Sequence, residues 1–201
     1  MLCFTCYVGS KCYEFYIYSQ NHHSEEDWKK KLSTALHSDY VSEDMQRGTD
    51  VEPFSLKVFD ETTPGTLFKG GLIINKYLPC FGYSPDVLIL HNDELELVET
   101  KCPRPQESEK ELITHCKRFL VRNKSGKLEL RQKCPYYGQV QFGMFLTNTR
   151  KCHFLVHHKT ESKNIEIIVD YNAEFVRKML KNLVSVYFYH YLPYLQTYYR
   201  Y

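Results

Sequence analysis

No run of apolar residues in this 201-residue chain approaches the ~18 needed to span a membrane. Its first residues do not follow the basic-then-apolar pattern of a signal peptide. Internal repeats and low-complexity stretches are also missing, which argues against a solenoid or a linker-rich protein. Charge of one sign is scarce too: the formal net charge is only +2, so affinity for a polyanion must come from local clustering. These absences leave a soluble, intracellular, membrane-free globular chain as the expectation. With 43% hydrophobic residues, 201 residues suit one sizeable core and one domain. Eight cysteines could mark a secreted disulfide scaffold, but they are spread over a chain able to build a core, so reduced thiols are expected. Cys3-x-x-Cys6, with Cys12 and His22-His23, has the residue types of a zinc site but no second pair at finger spacing.

What is present is a pattern around Ser84-Pro85-Asp86 and Glu99-Thr100-Lys101-Cys102-Pro103. The two-residue period of a strand puts Leu95, Leu97, Glu99 and Lys101 on one face, so two charges extend an apolar row. Burying an unpaired charge costs several kcal/mol, and a partner charge or bound cation is the usual remedy. Asp86 opens the preceding strand, and a turn at His91-Asn92-Asp93 returns the chain beside it. Two carboxylates and a lysine therefore converge. Such an oxygen set suits Mg²⁺ or Mn²⁺, and a lysine beside it could handle a water or offset charge developing on a phosphodiester.

Along the chain, residues 2–18 read as a β-hairpin broken at Gly9-Ser10, within an N-terminal segment 1–23. Ser24-Glu25-Glu26-Asp27 opens a helix to about Tyr40, and a second helix follows Ser42. Strands over Thr66–Leu78 and Pro85–Lys101 form a meander. Glu111–Phe119 reads as a helix, Asn123–Gly126 as a turn between two basic strands, and Cys134–Thr147 as a helix. Two strands, Cys152–His158 and Ile165–Val169, precede a closing helix from Asn172 to about Leu192. Tyr187, Tyr191, Tyr194 and Tyr198 share a helical stripe expected in core or subunit packing.

Four motifs occur in order: Arg47-Gly48-x-x-x-Glu52, Ser84-Pro85-Asp86, Glu99-x-Lys101-Cys102-Pro103 and Tyr136-x-x-Gln139-x-Gln141. Together they resemble the YqaJ-type viral recombinases, related to phage lambda exonuclease within the restriction-endonuclease-like PD-(D/E)XK nucleases. The resemblance covers a core of residues 42–193 in a single 1–201 nuclease domain. It implies an α/β fold with a central mixed sheet flanked by helices, and a Mg²⁺- or Mn²⁺-dependent deoxyribonuclease, an exonuclease of recombination. An endonuclease and a non-catalytic nucleic-acid-binding module are the alternatives.

By the same resemblance Asp86 and Glu99 ligate the metal, Glu52 adds a carboxylate, Lys101 handles the water, and Gln139 reaches the site from the opposite side. Tyr136 and Arg47 would contact DNA. The implied partners are DNA, in particular duplex ends, a homo-oligomer and a single-strand annealing protein, in the nucleus or cytoplasm of a host cell. The family's Thr-Ala-Ser stretch has no counterpart before Arg47. The basic run Lys117, Arg118, Arg122, Lys124, Lys127, Arg131 and Lys133 is expected to track phosphates toward the site.

Overall fold

The computed structural model describes residues 7–37 and 42–198. In chain order its elements are β1 (Tyr7–Val8), α1 (Gly9–Tyr18), α2 (Glu25–His37), α3 (Glu43–Thr62), β2 (Thr66–Phe68), β3 (Ile73–Ile74), β4 (Phe81–Tyr83), β5 (Val87–His91) and β6 (Glu94–Lys101). Then come α4 (Glu109–His115), β7 (Leu120–Arg122), β8 (Leu128–Leu130), α5 (Pro135–Thr147), β9 (Lys151–His158), β10 (Lys163–Asp170), α6 (Ala173–Val186), a π-helical turn (Tyr187–Tyr191) and α7 (Leu192–Tyr198).

Asn92 and Asp93 both take left-handed backbone, with φ of 49° and 61°. Two such residues form the tight turn whose twist matches a hairpin, which fixes His91 opposite Glu94 and the register of β5 on β6. β6 then pairs in parallel with β9, and the five strands run β10-β9-β6-β5-β2, with every other pairing antiparallel. This is the mixed, helix-flanked α/β sheet expected from the motifs. β3 leaves the expected meander and forms a small separate sheet with β1 and with β4, a strand between the two expected ones.

Both faces of β6 are covered, α5 lying on one and α3 on the other. Alternation assigns Leu97 to the larger core with Val140, Phe142, Met144 and Phe154, and Val98 to a smaller cluster with Leu56, Phe59, Val87, Ile89 and Leu155. The N-cap at Ser42 accepts from the Met45 amide at 3.2 Å, as the expected start of α3 requires.

Two expectations are corrected. The N-terminal segment is not a hairpin: beyond β1 it is the helix α1, while residues 1–6 lie outside those described. Tyr and Phe favour strands, but Cys12, Tyr13, Phe15 and Tyr16 also fall on one helical face, and that face packs against α5. Gly138 makes the approach possible, since a Cβ there would sit 2.3 Å from the Tyr13 ring. Cys3 and Cys6 are likewise outside the described residues. Cys12 is buried, and the other described cysteines, Cys80, Cys102, Cys116, Cys134 and Cys152, form no disulfide.

The closing helix does not end at Leu192-Pro193. Pro193 has no N–H to continue an α-helix, and the chain widens just before it, with the Leu192 amide bonding back five residues to Tyr187. The helical path then resumes to Tyr198. Of the tyrosine stripe, Tyr191 is buried, and the rings of Tyr187 and Tyr191 and of Tyr194 and Tyr198 stack. Among the described residues no helix is long and apolar enough to cross a membrane.

His153, on β9 beneath α3, stands between Glu96 and Glu166 and hydrogen-bonds to both, while Lys151 binds Glu96 at 2.9 Å. Burial alone would drive the proton off this imidazole, but the two carboxylates outweigh it and hold the ring above its ordinary pKa. A raised folded pKa stabilises the fold fully below the unfolded value of about 6.5 and is lost as pH rises through the folded value. Thermal unfolding followed from about pH 6 to about pH 9 should therefore show a falling midpoint in the wild type and a flatter profile in His153→Gln. Parallel profiles would show that His153 is not charged in the fold.

Candidate active site

The alternation that sends Val98 and Thr100 toward α3 sends Glu99 and Lys101 toward α5. Glu99 is 1% exposed, and a carboxylate so deeply buried must be fully bonded. Its Oε1 accepts from Lys101 Nζ at 2.6 Å and from the amide of Gln139 on α5; its Oε2 accepts from the Tyr83 hydroxyl on β4. Asp86, just ahead of β5, turns back to accept the Thr100 amide at 2.7 Å. The Lys101 ammonium also lies 5.1 Å from the centre of the Tyr136 ring, a favourable cation–π placement.

The electrostatics of these groups are mutually strained. Burial first, and then the charge of Glu99, push Asp86 up to about 8, against the pull of Lys101 and the Thr100 amide. Glu52 is likewise raised, by burial and then by Glu99, with Lys101 and Lys69 opposing. Burial works against the charge of Lys101, yet Glu99 and Asp86 raise it above an ordinary lysine. Asp86 and Glu52 are thus both raised by burial and by the neighbouring charge of Glu99, more than Lys101 can offset.

A cleft of about 730 Å³ opens onto this cluster. Glu52 and Arg47 of α3, Lys101, Arg118, Tyr136 and Gln139 line it, together with Arg104 and His115. Arg47 and Arg104 both bind Asp44 Oδ1, at 2.5 and 2.9 Å, and Arg47 Nε is buried with no hydrogen-bond acceptor. Among the described residues no three His, Cys, Asp or Glu side chains are assembled to enclose a metal alone. Mg²⁺ needs less, because it keeps several waters and takes one or two carboxylates. Asp86 and Glu99, two crowded oxygen donors whose repulsion a cation would relieve, fit that requirement.

The structure therefore brings Lys101 and Gln139 into direct contact with Glu99, holds Asp86 beside them on the Thr100 amide, and sets Glu52, Tyr136, Arg47 and Arg118 around the adjoining cleft. The remaining basic residues stand apart from it. Arg122 donates to the Gly126 carbonyl at 2.7 Å and Arg131 to the Lys117 carbonyl at 2.8 Å, so both brace the β7–β8 hairpin. Lys124 and Lys133 are exposed off the cleft, and Lys127 lines a different hollow. Sequence reasoning missed Tyr83, Lys69, Arg104 and His115. Only the place of Tyr83, directly before Ser84-Pro85-Asp86, could have pointed to it.

A five-stranded mixed sheet carrying this carboxylate–lysine set at the end of its central hairpin is the restriction-endonuclease-like fold. More narrowly, the chain belongs to the YqaJ-like viral recombinase domain family, whose model matches residues 9–150. Similar solved structures include an alkaline exonuclease from Laribacter hongkongensis, LHK-Exo, at 19% identity over 97% of this chain and 90% of that one, with a TM-score of 0.66. In complex with dAMP, LHK-Exo is similar at 20% identity over 97% and 93%, with a TM-score of 0.69. A phage-related exonuclease from Haemophilus somnus 129PT gives 13% identity over 96% of each chain and a TM-score of 0.67. The curated proteins contain no match.

Gly143 lies under Tyr83, and a Cβ there would come within 2.5 Å of the Tyr83 Cζ and 2.8 Å of its hydroxyl oxygen. Replacing a helical Gly by Ala ordinarily gains up to about 1 kcal/mol. Overpacking a buried ring costs about 1–3 kcal/mol, so the clash should win. Gly143→Ala should lower the denaturant midpoint, and should lower it less in a Tyr83→Leu background, where no ring meets the new methyl group. A stabilised single variant would show that Tyr83 is free to move away from Glu99.

Proposed function

We propose that this chain is a divalent-metal-dependent deoxyribonuclease that hydrolyses phosphodiester bonds, an exonuclease acting on duplex DNA ends. The observation that carries this reading is the buried Glu99 carboxylate bonded by Lys101 and Gln139, with Asp86 beside it on the Thr100 amide, next to a cleft lined by Glu52, Lys101, Gln139, Arg47 and Arg118. Family membership and the exonucleases of like fold support it.

Asp86 and Glu99 would hold the metal, Mg²⁺ or Mn²⁺, with Glu52 adding a carboxylate from α3. The bound ion supplies a lowered water pKa and charge compensation at the phosphate. Lys101 holds its proton and is placed to orient the attacking water and offset charge on the phosphoryl oxygens. Gln139 fixes the Glu99 carboxylate through Oε1, while Arg47 and Arg118 meet the DNA backbone. The ester P–O bond breaks as water oxygen bonds to phosphorus, and the water's proton passes to the leaving oxygen. A homo-oligomer and a single-strand annealing protein complete the proposed set of partners.

Cleavage of linear duplex should require Mg²⁺ or Mn²⁺ and stop with EDTA. Lys101→Ala should lower its rate by about two to four orders of magnitude. Cleavage that survives EDTA contradicts the reading. Placement around the cleft also ranks the basic residues: Arg47→Ala or Arg118→Ala should weaken duplex binding more than Arg122→Ala or Lys124→Ala. Binding assays at two salt concentrations check this, and the reverse ranking would move the DNA path onto the β7–β8 hairpin.

A further inference from the structure

Glu52 lies on α3 at the point where that helix is weakest. Pro53 follows it inside the helix, has no N–H to give the Thr49 carbonyl, and disfavours helical backbone in the residue before it. The helix's own bonds therefore do not fix Glu52 against the sheet. One turn on, and on the same face, Ser55 is fully buried and makes a polar contact with β6.

The direction of each bond in this contact follows from the donors available. The Asn164 amide group on β10 donates to the Ser55 carbonyl at 2.8 Å, which leaves Asn164 Oδ1 as an acceptor. The Ser55 hydroxyl spends its one proton on that oxygen, at 3.0 Å, so the bond from Thr100 at 2.6 Å must be donated by Thr100 to Ser55 Oγ. His157 Nδ1–H closes the set on Asn164 Oδ1 at 2.9 Å. Thr100 is the residue between Glu99 and Lys101, and its backbone amide holds Asp86. A single buried chain of hydrogen bonds thus joins the kinked helix bearing Glu52 to the strand segment bearing Glu99, Lys101 and the clamp on Asp86.

We infer that Ser55, anchored by Asn164, is a positioning residue for Glu52, locking the Pro53-weakened turn of α3 to Thr100 so that Glu52 meets Asp86 and Glu99 at a fixed distance. This rests on the nuclease reading of the site. The apolar alternative at this place, an alanine or valine, would pack as well but would let the helix slide, and displacements of about 1 Å at a reacting centre can cost up to about a hundredfold in rate.

The test is a double-mutant cycle on metal-dependent duplex cleavage with wild type, Glu52→Gln, Ser55→Ala and the double variant, together with amide hydrogen exchange of each protein. Ser55→Ala should slow cleavage about tenfold in the wild-type background and less than about twofold once Glu52 is Gln, because its effect passes through Glu52. Exchange should quicken in residues 49–56 while β6 stays protected. Asn164→Ala, which removes the anchor from the sheet side, should repeat both results. Equal losses in the two backgrounds, or unchanged exchange in α3, would overturn the inference. If the wild type does not cleave DNA, the nuclease reading fails, and hydrogen exchange alone then decides whether Ser55 holds the helix.

Discussion

Glu99 is a carboxylate buried at the centre of a sheet, and the rest of the structure is arranged to make that tolerable. Left unpaired it would cost several kcal/mol, so three elements each send it a donor: Tyr83 from β4, Lys101 from β6 itself and Gln139 from α5. Those donors in turn constrain their surroundings. Tyr83 needs the missing side chain at Gly143, and Lys101 is placed beneath the Tyr136 ring. The spacing of Tyr136, Gln139 and Gly143 on α5 is the imprint of one buried anion on a helix packed against it.

The same strand does a second job through its other face. Thr100, between the two charged residues, takes Asp86 on its amide and Ser55 on its hydroxyl. Strand alternation thus lets one residue connect the carboxylate site to α3 without entering it. The crowding of Asp86 and Glu52 by Glu99 outweighs the pull of Lys101 and, at Glu52, of Lys69. Structural ion pairs are normally arranged to relieve such strain; a site built for a cation retains it.

Where local signals were strong, the sequence was a good guide. The Asn92-Asp93 turn, the alternating row ending in Glu99 and Lys101, and the N-cap at Ser42 all depend on near neighbours, and each element formed as expected. Gln139 joining Glu99 was expected only through the family resemblance, and it does so from the helix packed on the Glu99 face of the sheet. The N-terminal helix was not, because its tyrosines favour strands locally and only contact with α5 at Gly138 decides otherwise. Nor was the path of the last helix, where a widened turn absorbs Pro193. The fold also divides the basic run from Lys117 to Lys133: Arg118 lines the cleft, whereas the exposed Arg122 and Arg131 bond carbonyls of the β7–β8 hairpin, which charge counts along the chain do not show. Ser55 and Asn164 carry no motif and Thr100 is the unspecified position of Glu99-x-Lys101, so their alliance across 109 residues exists only in three dimensions.

The central claim, that Asp86 and Glu99 are held crowded for a divalent cation, is tested most directly by thermal unfolding of wild type and Asp86→Asn in EDTA and in Mn²⁺, without DNA. Relief of the repulsion should leave Asp86→Asn as stable as the wild type or more so in EDTA. Mn²⁺ at about a hundred times its dissociation constant should stabilise the wild type by about 2.7 kcal/mol and the variant far less. An equal Mn²⁺ shift in both proteins, or a variant much weaker than the wild type in EDTA, would contradict the account.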